Sequence, residues 1–97
     1  MARTTDQTAV WLYAVLARDF DDFFEFVNEE QDDEALKLLY LMLTVPNKKH
    51  DKSTNELNKL GAGFVERALK KRGLDLPDPP YPTRWERLLH PEQYDDG

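Results

Sequence analysis

The stretch that decides the fold is Glu34-Ala35-Leu36-Lys37-Leu38-Leu39-Tyr40-Leu41-Met42-Leu43-Thr44. Wound at 3.6 residues per turn, Ala35 to Leu43 leave only Lys37 and Thr44 on a narrow polar strip. A helix that is apolar nearly all round has to be covered on several sides. This segment is therefore expected to be the central element. A buried strand over Leu38–Val45 is the competing reading, but the run is Leu-rich rather than β-branched, and that favours helix. Gln31-Asp32-Asp33 immediately before it reads as a connector, with Asp32 or Asp33 as the N-cap.

Upstream, Thr4 and Gln7 have the spacing of a capping box, which predicts a helix from about Thr5 to Glu30. Ala9, Leu12, Tyr13, Leu16, Phe20, Phe23, Phe24 and Val27 fall on one stripe. That register passes Arg18-Asp19 without a slip, and the stretch contains no Gly or Pro. One long helix is expected in preference to two short ones, with Asp19 as the residue able to start a second. Trp11, Val15 and Phe26 fall on the side away from the stripe. The C-terminal segment, through Tyr81, Trp85 and Leu88, is expected to cover Trp11. Phe26 is expected to contact another molecule.

Downstream, Val45 to Lys52 reads as a loop, because Pro46 does not fit a helix interior. Ser53 and Glu56 have a second capping-box spacing and predict a helix over about Thr54–Lys71. Its stripe is Leu57, Leu60, Phe64 and Ala68, flanked by Gly61 and Val65. Gly73 behind Lys70-Lys71-Arg72 marks its C-terminus, with the cations favourable at the negative end of the dipole. Four prolines among residues 77–82 fix an extended segment. Thr83 and Glu86 then open a short helix, Arg84–His90, whose Trp85, Leu88 and Leu89 clamp onto the body. The predicted architecture is all-α: a three-helix bundle over residues 1–76 and a Pro-rich strap with a short fourth helix over residues 77–97, forming a single domain.

The 97-residue chain has no cysteine, which excludes a disulfide framework and a thiolate zinc site. Its longest apolar run, Ala9–Ala17, is far shorter than the roughly twenty residues needed to span a bilayer. No signal-peptide pattern opens it, so no membrane association and a cytoplasmic location are expected. His50 and His90 are far apart in sequence and neither joins a metal-ligand motif. The single serine, Ser53, is better placed as a cap than as a nucleophile, and Gly61-Ala62-Gly63 is not a phosphate-binding loop. No catalytic residue, metal or cofactor is expected, and the chain reads as a non-enzyme.

Charge is the most informative feature that remains. Residues 1–34 carry ten acids and two bases, residues 35–75 nine bases and four acids, and residues 76–97 five acids and two bases. The leading expectation is a binding protein that meets a basic protein surface through Asp21, Asp22, Glu25, Glu29, Glu30, Asp32 and Asp33, with Phe26 as anchor. The alternative is direct nucleic-acid contact through Lys48, Lys49, Lys52, Arg67, Lys70, Lys71 and Arg72. Ser53–Leu74 echoes the order of a winged-helix reader, but it is too short for two helices and a turn, and prolines follow where a wing would form. A helical homo-oligomer is the third reading. In size, acidity and helical content the chain resembles small phage-encoded inhibitors and accessory subunits of ribonucleoprotein machines, a resemblance of style that rests on no motif.

Overall fold

The computed structural model describes residues 3–45, 51–77 and 83–89. They form an all-α bundle of five helices: α1 (Thr5–Arg18), α2 (Phe20–Glu29), α3 (Asp33–Thr44), α4 (Lys52–Lys71) and α5 (Thr83–Leu89). Residues 1–2, 46–50, 78–82 and 90–97, which include most of the loop and of the proline strap expected from the sequence, lie outside the described residues.

Helix α3 is the centre, as its apolar circumference demands. It packs against α1, α4 and α5, and Ala35, Leu36, Leu38, Leu39, Leu41 and Leu43 are all buried. Each fully buried leucine contributes about 1.5–3 kcal/mol relative to leaving it in water. Its cap is Asp32, whose Oδ1 accepts the Ala35 N–H at 3.2 Å.

At α1 the capping box forms as expected. Thr4 Oγ1 accepts the Gln7 N–H at 3.1 Å, and Gln7 Oε1 accepts the Thr4 N–H at 3.0 Å. The expected single helix over Thr5–Glu30 is instead two. Asp19 leaves the helical region at φ −154° and ψ 111°. Its N–H donates to the Val15 carbonyl at 2.8 Å and closes α1. Its Oδ1 accepts the N–H groups of Asp21 and Asp22, at 3.0 and 3.2 Å, and opens α2. One residue thus ends one helix and starts the next, with its side chain satisfying donors that the break exposes. Because α2 turns away, the stripe does not stay uniformly inside. Phe23 and Val27 are buried, whereas Phe24 is 46% exposed. Val15, expected on the outer side, is in the core at 1%.

Helix α4 starts earlier than the serine signal implies. Asp51, not Ser53, is its cap, with Oδ1 accepting the Thr54 N–H at 2.7 Å. Gly61 lies against α1 and α3: a Cβ there would meet Leu16 Cδ2 at 2.8 Å and Leu43 Cδ1 at 3.4 Å. Leu60, expected on the inner stripe, is 61% exposed. The C-terminus closes as a Schellman turn. Gly73 takes φ +75°, its N–H donates to the Lys70 carbonyl, and the Leu74 N–H donates to the Leu69 carbonyl. Helix α5 seats Trp85 and Leu89 in the core while Leu88 stays 38% exposed, so two of the three expected clamping residues are buried.

Candidate interaction surface

Successive residues on a helix are separated by 100°, so the inward direction of α2, set by Phe23 and Val27, fixes where every other side chain lies. Asp21, Glu25, Glu29 and Asp22 follow one another around the opposite side, and all four are exposed. Among the described residues none of the four forms an ion pair. The result is a ridge of carboxylates along α2 with an aromatic border on each side.

The first border joins α2 to α1. Phe26 and Trp11 pack with ring centroids 5.0 Å apart at 31°, and the Arg3 guanidinium lies 4.2 Å above the Trp11 ring. The two rings are half-buried. With Glu29, Glu30 and Gln31 they line an open recess of about 360 Å³. The second border joins α2 to α4. Phe64 is 5.2 Å from Phe20 and 4.9 Å from Phe24, both edge-on, and Arg67 lies 5.8 Å from the Phe64 ring. Offset and edge-to-face geometries of this kind are preferred by the ring quadrupoles, and the cation over each cluster is attracted to the ring face.

The seven carboxylates singled out from the sequence therefore divide. Asp21, Asp22, Glu25 and Glu29 form the ridge. The other three are engaged by the fold. Glu30 Oε2 accepts the N–H groups of Gln31 and Asp32, both at 3.1 Å. Asp32 caps α3 and its Oδ2 accepts the Thr5 hydroxyl at 2.7 Å, which ties the α2–α3 connector to α1. Asp33 Oδ1 pairs with Arg72 Nη1 at 2.8 Å. Phe26 is not a free anchor but half of an aromatic pair. Trp11 finds its ring partner in Phe26, while Trp85 sits on α5 against α3. Tyr81 lies outside the described residues.

The cations are more dispersed. Lys48 and Lys49 lie outside the described residues. Lys52 opens α4 and Lys70 and Lys71 close it, roughly 27 Å away along the axis at 1.5 Å per residue. Lys70 pairs with Glu66 at 3.7 Å, and Arg72 also reaches the carbonyls of Val27 and Asn28 at 3.4 and 3.3 Å. Arg67, Lys70, Lys71 and Arg72 thus lie together in the last turns of α4 and at its cap, and Lys52 stands apart at the other end of the helix.

The sequence put Trp11 and Phe26 on one outer side without bringing their rings together, and it did not single out Arg3 or Phe64 as parts of the surface. Trp11 and Phe26 are fifteen residues apart, roughly 22 Å along a straight helix, so nothing in a continuous-helix reading joins them. Among the described residues no group of His, Asp or Glu side chains is arranged to hold a metal ion, and no helix is long and apolar enough to cross a membrane. Compared with protein-family models, characterised proteins and solved structures, the chain gives no match.

Proposed function

We propose that the protein is a non-enzymatic binding protein whose α2 ridge docks on a basic, nucleic-acid-binding surface of another protein and occupies it in place of the polyanion, in the manner of a phage-type inhibitor. The observation that supports this reading is the ridge itself. Four exposed carboxylates share one helix face, and no described cation neutralises them. Like charges three and four residues apart cost a helix a few tenths of a kcal/mol per pair, a cost that a cationic partner offsets. The Trp11–Phe26 pair beside Asp22 and Glu29 supplies an apolar contact at the rim, where buried aromatics carry binding energy out of proportion to their number.

Steering by such a ridge acts mainly on the association rate and is screened by salt. The test is affinity capture from nuclease-treated host extract with the wild-type chain and with Asp22→Lys/Glu25→Lys/Glu29→Lys. A partner held by the wild type, displaced by competing DNA and lost to the triple variant supports the reading. Equal capture by the two chains overturns it.

A further inference from the structure

The second aromatic border of α2 carries a different message from the ridge. Phe24 and Leu60 are 46% and 61% exposed, and with half-buried Phe20 and Phe64 they make a continuous apolar strip between α2 and α4. Leu60, Phe64, Arg67 and Lys71 follow one another at helical spacing along the α4 side. At one end of the strip Phe24, Asn28, Ala68, Lys71 and Arg72 line a hollow of about 380 Å³. Apolar surface of this kind, edged by charge, marks a contact site.

The charges on its two long edges have opposite sign. Beyond Phe20 and Phe24 on α2 come Asp21 and Glu25; beyond Phe64 on α4 come Arg67 and Lys71. The two helices run in the same direction here, because Phe20 and Phe24 meet Phe64 while Val27 and Asn28 meet Arg72 further along both. Glu25 and Arg67 are therefore at nearly the same height on opposite edges.

A strip of this kind is complementary to itself under one rotation. A two-fold axis along the shared direction of α2 and α4 lays the acidic edge of one copy on the basic edge of the other. An axis across the helices would set acid on acid, which costs energy. We propose that the α2–α4 strip is the interface of an isologous dimer of this chain, with Phe24, Leu60 and Phe64 at its centre and Glu25 of each copy opposite Arg67 of the other. The dimer leaves Asp22, Glu29 and the Trp11–Phe26 recess on the outside, so the ridge keeps its outer half in the assembly.

The experiment is sedimentation equilibrium of the full chain over a range of concentrations, with helix content checked by circular dichroism. The expected result is a mass that rises from one chain to two. Phe24→Ser and Leu60→Ser change exposed side chains and are expected to weaken the dimer by about tenfold or more. Glu25→Lys alone and Arg67→Glu alone are each expected to weaken it, and the double variant Glu25→Lys/Arg67→Glu to restore it, because the swap exchanges the two edges. A monomer mass at every concentration overturns the proposal, as does a dimer indifferent to Phe24→Ser and Leu60→Ser. Failure of the double swap to rescue overturns the acid-on-base register. Glu25→Lys changes both the ridge and the dimer contact, whereas Phe24→Ser and Leu60→Ser leave every ridge carboxylate in place, so unchanged capture of a basic partner by these two variants separates the ridge reading from the dimer.

Discussion

At the scale of single residues, Arg72 does more than any other described cation. It pairs with Asp33 and donates to two carbonyls at the end of α2, and its side chain is largely enclosed. Hydrogen bonds to charged groups are stronger than neutral ones, but partial exposure screens this cluster. Arg72→Ala is expected to lose about 1–2 kcal/mol in a denaturant titration. Arg72→Lys is expected to recover little of it, because a single ammonium does not reproduce the planar fork that reaches three acceptors. Tyr40 gives a pH-dependent counterpart. Burial, reinforced by the nearby charge of Glu66, pushes its phenol above the ordinary value of 10.0. The unfolded chain therefore loses this proton first. The stability Tyr40 contributes is complete below about pH 10 and declines as pH rises through the folded-state value. Tyr40→Phe should shallow the alkaline limb of a stability profile, and parallel limbs for the two proteins would show that burial does not raise the phenol.

At the scale of elements, two features can be tested by small substitutions. Asp19→Ala removes the acceptor for two N–H groups at the head of α2 and is expected to cost about 1 kcal/mol. Gly61 and Gly63 sit two residues apart in the same helix and should respond differently. A Cβ at Gly63 meets nothing within 4 Å, so Gly63→Ala should stabilise by about 1 kcal/mol through helix propensity. The same change at Gly61 displaces the buried Leu16 side chain and should fall short of that gain. Equal thermal stability of the two variants would mean that the α1–α4 approach does not need the glycine. These elements also show what was legible in the sequence. Helix α3 was readable because apolar residues on every side leave few alternatives to a buried helix, and the Thr4–Gln7 box and Gly73 were readable because their chemistry is local. The break at Asp19 was legible only as the lesser alternative: its side chain could cap a second helix, but α1 and α2 keep one hydrophobic phase across it and no Gly or Pro marks it. The exposed Leu60 and Phe24 follow from how helices meet, which periodicity within one helix does not record.

At the scale of the whole molecule, the Arg72–Asp33 ion pair joins the acidic first third of the chain to its basic centre. The acidic ridge was legible in the sequence as composition, whereas its aromatic borders depend on tertiary contacts between α2 and its two neighbours. The distant C-terminal helix is part of the core despite its short length, since Trp85 is buried against the bundle. Trp85→Ala is expected to cost about 3 kcal/mol, and an unchanged midpoint in thermal unfolding would show that α5 adds nothing to the bundle. The corner closed by Arg72 has a further consequence. The end of α2, the first turn of α3 and the last turn of α4 are tied through one guanidinium, so none of them frays by itself. Their slowest amide protons should exchange with deuterium through a shared opening event, as one cooperative unit.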